Sequence, residues 1–168
     1  LFTPREHVIT ASAAELSKET FPSLTVLLAE PFEKPFCHAG MPDDSFIRGK
    51  TPMTKQEVRA AIMAKLALRP EDIVWDVGAG TGSVSAEMAR AVFRGKAYAI
   101  ERNEEACALI EQNKQKFAAW NLHIQKGKAP DALSELPAPD AVFIGGSGGN
   151  MKEIIRLVYE KNEKARIC

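Results

Sequence analysis

The sequence has no net charge, few cysteines and no long apolar run. Its 22 basic residues balance 22 acidic ones, so no overall basic field is available to attract nucleic acid. No apolar run is long enough to cross a membrane. The three cysteines, Cys37, Cys107 and Cys168, form no C-x-x-C pair, which predicts free thiols in a reducing, cytoplasmic compartment.

At 168 residues, the chain is long enough for one ordinary domain with a core and too short for two complete ones. Because the first residue is not Met, we expect a piece of a longer chain. Residues 1–30 read as a helix over 11–19 and a strand over 24–28. A connector with two prolines, Pro31 and Pro35, predicts a boundary before the main domain, residues 31–168.

The main domain opens with a loop-rich segment and one helix. Thr54 is expected to cap that helix, with Glu57 completing a capping box. The helix is predicted to run to about Lys65, with Val58 and Ile62 among the residues of one apolar face.

Strands then alternate with helices, which predicts an α/β fold with a mostly parallel sheet and helices on both faces. Asn103 and either Ser147 or Asn150 are candidate helix caps. The residues from Ala165 onward are predicted to open a fifth strand, so we expect the sheet to be truncated at the C-terminus. The predicted strands are 73–77, 97–101, 122–124 and 141–144, and the predicted helices are 83–91, one beginning at Glu104, and one with an apolar face at Met151, Ile154, Ile155 and Val158.

A glycine-rich turn follows the first strand of this alternation. Glycine allows positive φ and brings the backbone close to a ligand at a helix N-terminus. The dinucleotide pattern G-x-G-x-x-G fails, because Ser83 and Ser85 stand where its third glycine belongs. The pattern present is D-x-G-x-G-x-G, which resembles motif I of class I S-adenosylmethionine methyltransferases. Its residues are Asp76, Val77, Gly78, Ala79, Gly80, Thr81 and Gly82.

Two other strand ends support a nucleoside site. Glu101 ends the second strand, where a carboxylate accepts hydrogen bonds from ribose hydroxyls. Gly127, Lys128 and Ala129 follow the third strand, where this fold contacts the adenine edge. Asp76 is expected to accept a hydrogen bond from the ammonium of the amino-acid tail, directly or through water.

The loop after the fourth strand bears on the methyl acceptor. It contains Gly146, Ser147 and Gly148 in place of the Asn/Asp-Pro-Pro-Tyr motif used on planar amines. Upstream, six basic residues and one acid between Arg48 and Arg69 suggest an acidic small ligand, although a solvated helix face explains part of this run equally well. The basic residues are Arg48, Lys50, Lys55, Arg59, Lys65 and Arg69.

Four segments together resemble the decarboxylating precorrin C15-methyltransferases of cobalamin synthesis. They are 40–48, 52–59, 75–83 and 143–149. The resemblance spans about residues 36–168, and residues 1–30 resemble the tail and linker of the tetrapyrrole methylase domain that precedes it in the bifunctional C5/C15 form.

The resemblance implies methyl transfer from S-adenosylmethionine to C15 of a (cobalt-)precorrin, with loss of the ring C acetate carboxylate as carbon dioxide. It implies an acidic tetrapyrrole partner and a homo-oligomer, often a tetramer, with no role for nucleic acid or a membrane. Thr54 joins the expected cofactor site. The expected substrate site is Arg48, Lys50, Met53, Lys55, Gly146, Ser147 and Gly148.

Other functions stay open at this point. A methyltransferase for protein or RNA is disfavoured by the neutral charge, and a nicotinamide-binding protein by Ser83 and Ser85. A non-catalytic module that binds S-adenosylmethionine or assembles with a fused partner is kept open by the expected truncation. No catalytic residue and no metal site are predicted, and His38 and His123 are interpreted as structural.

Overall fold

The structure is a computed structural model, and it describes residues 7–23, 25–28 and 39–168. The chain divides into two compact units, Leu1–Glu33 and Lys34–Cys168. The two-proline connector, Cys37 and His38 lie outside the described residues.

The first unit contains one short helix, α1 (Ala13–Leu16). The Ser12 hydroxyl accepts a hydrogen bond from the Glu15 amide, and the Glu15 carboxylate accepts one from the Ser12 amide. The helix is shorter than the predicted 11–19. The strand predicted over 24–28 is wrong for residues 25–28, which have no regular structure. Val26 is 95% exposed, and the described residues of this unit offer no partner strand to complete a ladder.

The second unit alternates strands and helices as the sequence predicts. It also contains 3-10 turns at Asp43–Ser45 and Asp131–Leu133. The elements in chain order are α2 (Gln56–Leu66), β1 (Ile73–Val77), α3 (Ser83–Ala91), β2 (Lys96–Glu101), α4 (Glu104–Lys116), β3 (Leu122–Lys126), β4 (Ala141–Ile144), α5 (Met151–Lys161) and β5 (Arg166–Ile167).

The strands form one parallel sheet in the order β3-β2-β1-β4-β5. The chain moves outward from β1 to β3, then returns to the other side of β1 with β4. The order therefore reverses between β1 and β4, and ligands of open α/β sheets bind at the carboxyl ends of the strands at such a point.

Alternate residues of each strand face opposite layers of the core, which confirms the prediction of a sheet covered on both faces. Val74 of β1 and Ile110 of α4 belong to one cluster, which also includes residues of α2 and α3. Trp75 of β1 packs in a second cluster with Ile154 and Val158 of α5. Successive side chains of a strand point to opposite faces of the sheet, so the residues of one strand divide between the two clusters.

Two predicted caps have different outcomes. The Asn103 side chain accepts a hydrogen bond from the Ala106 amide at the start of α4, which confirms the prediction. Asn150 precedes α5 but makes no capping bond, and its amide group donates instead to the Ala129 carbonyl at 3.1 Å.

The helix α2 has the predicted period but a different buried face. Its buried residues are Arg59, Ile62, Met63 and Leu66, while Val58 is 52% exposed. The helix begins after Lys55 without a side-chain cap, so the capping box of Thr54 and Glu57 is wrong. An arginine replaces the expected valine on the buried face because it has a buried partner there.

That partner is Glu87 of α3. The Glu87 carboxylate accepts from Arg59 Nε at 2.7 Å and from the amides of Gly40 and Met41 at 2.7 and 3.0 Å. Both side chains are almost completely buried. Breaking such a pair from one side leaves an uncompensated buried charge.

Replacing Glu87 with Ala should therefore lower the free energy of unfolding by about 3–5 kcal/mol. Glu111→Ala is the matched control, because Glu111 is half-exposed and its pair with Lys114 spans 3.7 Å. That control should cost less than about 1 kcal/mol. Urea unfolding measures both, and equal losses would contradict the importance of the buried pair.

Candidate functional site

Three turns meet where β1, β2 and β4 end. The amides of Gly78 and Ala79 donate to the Ile100 carbonyl at 2.9 and 3.1 Å. The amides of Gly145 and Gly146 donate to the Val77 carbonyl at 2.9 and 3.1 Å. Each turn is thus hydrogen-bonded to a neighbouring strand end, and together they form the floor of a cleft at the switch point.

The glycines of the first turn are required by geometry. Gly78, Gly80 and Gly82 all have positive φ, at +76°, +56° and +75°. A Cβ at Gly78 would lie 2.7 Å from the backbone nitrogen of Gly146, and a Cβ at Gly82 would lie 2.9 Å from Ile110 Cγ1. The turn is therefore closed to side chains on both sides.

The Glu101 carboxylate lies across the mouth of the glycine turn. Its Oε2 accepts from the Gly80 amide at 3.0 Å, and its Oε1 accepts from the amides of Arg102 and Asn103 at 2.8 and 2.9 Å. A carboxylate offers about four lone-pair sites. One of them is left for a ligand before any backbone bond is exchanged.

A cavity of about 250 Å³ opens between these turns. The structure brings together in it eight of the residues predicted from the sequence. The Lys128 side chain approaches the loop after β4, since its Cε would lie 3.8 Å from a Cβ at Gly148. The eight residues are Gly78, Glu101, Gly127, Lys128, Ala129, Gly146, Ser147 and Gly148. The sequence assigned three of these to the substrate and five to the cofactor, yet they line one cavity.

Two further lining residues, Ile100 and Arg102, were missed, and a third, Val77, was named only as part of the glycine-turn motif. Val77 and Ile100 look like ordinary strand residues, and their carbonyls, rather than their side chains, hold the turns. Arg102 could have been predicted from its place in the sequence, because it directly follows the predicted ribose acceptor Glu101.

Other predicted cofactor residues lie around the cavity rather than among its lining residues. Ala79 and Gly80 form the outer part of the turn and are half-buried. Thr81 is buried, and its hydroxyl has no hydrogen-bond partner within the described part of the chain. Thr54 follows a loop that touches the turn, because a Cβ at Gly80 would lie 3.3 Å from the Pro52 carbonyl oxygen.

Asp76 lies beneath the turn, 2% exposed. Its carboxylate accepts a hydrogen bond from the Ser85 hydroxyl of α3. Burial raises the pKa of Asp76 to about 7, although the bond from Ser85 acts in the opposite direction. Asp76 therefore holds the turn against α3 and is not among the cavity-lining residues.

Half of the predicted basic run is paired with acids, since three of its six side chains have an acidic partner. Arg59 is buried with Glu87, and its guanidinium also holds the pKa of Asp43 below its usual value. Arg48 is paired with Asp44, and Lys55 lies 3.5 Å from Asp43. The sequence count missed these pairings because Asp43 and Asp44 lie just before its window and Glu87 lies well beyond it.

The remaining predicted substrate residues lie in the same loop but outside the cavity lining. Lys50 is exposed. Met53 packs against a small core cluster that contains Met41 and Phe46.

No group of three His, Cys, Asp or Glu side chains in 7–23, 25–28 and 39–168 is placed to hold a metal ion. No helix in those ranges has the length and apolar character needed to span a bilayer. His123 stacks on the Tyr98 ring with centroids 5.2 Å apart.

The strand order, the D-x-G-x-G-x-G turn and the carboxylate at the end of β2 define the class. The second unit has the Rossmann-like fold of class I S-adenosylmethionine-dependent methyltransferases.

Comparison with known proteins resolves the family. The family described as "Precorrin methyltransferase domain" matches residues 44–168, and the chain belongs to this family. A probable cobalt-precorrin-6B C(15)-methyltransferase (decarboxylating) of Pyrobaculum calidifontis is 43% identical over 136 residues, which are 79% of this chain and 70% of that protein.

Two further relatives agree. A cobalt-precorrin-6B C(15)-methyltransferase (decarboxylating) of Salmonella typhimurium is 46% identical, over 68% of this chain and 59% of that protein. The crystal structure of precorrin-6y C5,15-methyltransferase from Geobacter metallireducens has a TM-score of 0.69 at 44% identity, covering 73% of this chain and 64% of that one. The chain thus spans between 59% and 70% of the length of these relatives.

The packing of Gly78 against Gly146 generates a stability prediction. Gly78→Ala combines a positive φ with a contact of 2.7 Å to backbone, and should lower the free energy of unfolding by about 2–3 kcal/mol. Gly146→Ala is the matched control, because the nearest atom to its Cβ is 3.8 Å away. In thermal unfolding, Gly78→Ala should have a clearly lower midpoint than Gly146→Ala, and similar midpoints would refute the tight contact.

The raised pKa of Asp76 generates a pH prediction. Between about pH 4 and pH 7 the folded state holds a proton that the unfolded state has released, so this group lowers stability as pH rises. Relative to the parent, Asp76→Asn should gain about 4 kcal/mol across this window and no more above it. Urea unfolding of the parent and of Asp76→Asn from pH 4 to pH 8 tests this, and the same pH dependence in both proteins would contradict the raised pKa.

Proposed function

We propose that this chain binds S-adenosylmethionine and transfers its methyl group to C15 of a (cobalt-)precorrin, with decarboxylation of the ring C acetate. The observation that carries the proposal is the meeting of the glycine turn, the Glu101 carboxylate and the loop after β4 in one cavity. Relatives named for this reaction are 43% and 46% identical to the chain.

The residues present fit the methyl donor. Glu101 would accept hydrogen bonds from the ribose hydroxyls on both of its oxygens, and one of the two backbone bonds to Oε1 would be exchanged to receive both hydroxyls. The side-chain-free turn allows close approach of the nucleoside. Gly127, Lys128 and Ala129 would contact the adenine edge, and Thr54 together with Asp76 would serve the amino-acid end.

The acceptor would approach from the side of the loop after β4. Gly146, Ser147 and Gly148 present backbone without bulk, which suits a large macrocycle. Arg48, Lys50, Met53 and Lys55 remain the proposed substrate residues. Because Arg48 and Lys55 are already paired with acids, substrate carboxylates would have to compete with Asp44 and Asp43 for them.

The reaction needs little from protein side chains. A carbon of the electron-rich macrocycle forms the new carbon–carbon bond as the sulfur–methyl bond breaks, and S-adenosylhomocysteine leaves. The acetate carboxylate leaves as carbon dioxide, and its bonding electrons enter the conjugated ring. The protein would align carbon, methyl and sulfur and exclude water.

The chain covers only part of its relatives, so the activity of the whole protein, a homo-oligomeric state and a cytoplasmic location are parts of this proposal. One alternative function is tested beside it. In it, the chain binds S-adenosylmethionine without turnover and acts as an assembly module.

Calorimetric titration with S-adenosylhomocysteine tests the donor site. The parent should bind at micromolar affinity, and Glu101→Ala should weaken binding by about tenfold or more, which is about 1.4 kcal/mol. Glu104→Ala is the matched control, because the exposed Glu104 pairs only with Lys126. No binding to a folded parent would overturn the donor site.

Incubation with methyl-labelled S-adenosylmethionine and a cobalt-precorrin-6B preparation then separates enzyme from module. Label in the corrinoid together with released carbon dioxide supports the methyltransferase. Donor binding without label transfer supports the module.

A further inference from the structure

A segment outside the cavity lining touches the glycine turn from above. We call residues 40–54 the cover segment. Its Pro52 carbonyl oxygen would lie 3.3 Å, and its Thr51 Cγ2 3.6 Å, from a Cβ placed at Gly80. Gly80 is also the residue whose amide donates to Glu101. The position of the cover segment is therefore mechanically linked to the proposed ribose acceptor through one residue.

One buried guanidinium is hydrogen-bonded to both ends of the cover segment. Arg59 donates to the Met41 carbonyl near the start of the segment and to the Thr54 carbonyl at its end. It also donates to Asp43 at 2.8 Å and stacks over the Phe46 ring at 4.6 Å. Glu87 holds the same guanidinium and the first two amides of the segment.

One buried amide side chain holds the middle of the cover segment. Asn113 of α4 accepts from the Ile47 amide at 2.8 Å and donates to the Ile47 carbonyl at 3.0 Å. Its amide group also donates to the Thr81 carbonyl of the glycine turn at 3.0 Å. A single fully buried side chain thus joins the cover segment and the turn.

Resting on the proposed function, we infer that Asn113 and the Arg59–Glu87 pair are positioning residues for methyl transfer. They fix the cover segment on Gly80, and Gly80 in turn orients Glu101. Buried polar groups of this kind contribute little net stability compared with apolar replacements, but they specify one arrangement of the loops they join. Loosening either anchor should therefore alter the donor site, because an unbroken series of contacts connects the anchors, the cover segment, Gly80 and Glu101.

The first test compares two identical changes. Asn113→Asp keeps the acceptor for the Ile47 amide but cannot donate to the Ile47 and Thr81 carbonyls. Asn121→Asp is the matched control, because the Asn121 amide donates to the carbonyls of Ala89 and Val92 at the amino ends of the strands, away from the cavity. Each variant of the full chain is measured for S-adenosylhomocysteine affinity, amide hydrogen exchange over the cover segment, and unfolding.

Asn113→Asp should weaken S-adenosylhomocysteine binding by about tenfold and speed hydrogen exchange in the cover segment. Asn121→Asp should lose stability while retaining the affinity of the parent within about twofold. In turnover with the corrinoid, Asn113→Asp should lower kcat more than it raises the KM for the corrinoid.

A milder pair decides the matter if Asn113→Asp does not fold. Asp43→Asn removes a charge that holds Arg59, whereas Asp44→Asn, one residue later, removes only the exposed pair with Arg48. Asp43→Asn should weaken S-adenosylhomocysteine binding by about threefold, and Asp44→Asn should leave it unchanged.

The outcomes separate the inference from the function on which it rests. A folded parent that does not bind S-adenosylhomocysteine overturns the proposed function. A parent that binds, with Asn113→Asp or Asp43→Asn matching its affinity and its exchange rates, overturns only the positioning role. Equal losses in Asn113→Asp and Asn121→Asp also overturn it, because a general loss of stability then explains both.

Discussion

The contact between the backbones of Gly78 and Gly146 is the constraint on which the cavity depends. The two turns approach so closely that no side chain fits between them at Gly78. The Val77 and Ile100 carbonyls each accept two amides from a neighbouring turn. These backbone bonds join the ends of β1, β2 and β4 and form the floor of the cleft.

Beside this backbone floor, buried polar side chains of the second unit hold the cover segment in place. Arg59, Glu87 and Asn113 are almost completely removed from water. Each makes at least three hydrogen bonds, which offset the cost of burying polar groups. An apolar core would hold the helices equally well, but it would not define where the loop lies on the glycine turn.

The sequence predicted what depends on local order and missed what depends on distant partners. The strand–helix alternation, the glycine turn, Glu101 and the Asn103 cap follow from short-range patterns, and the structure agrees with each placement. Arg59 was read as part of a basic face because Glu87 is 28 residues away. Asn113 carried no signal, since an asparagine within a helix is usually solvated and its partner Ile47 is 66 residues away.

The three amides that hold Glu101 have a consequence for ligand choice. The carboxylate is already oriented before a ligand arrives, and exchange of one amide for a ribose hydroxyl leaves two amides to keep that orientation. A 2′-deoxy analogue would leave an oriented acceptor without its donor, and a 2′-phosphate would bring negative charge against negative charge. In the proposed donor site, a rigid acceptor would therefore distinguish ribonucleosides from their deoxy and phosphorylated counterparts without any further side chain.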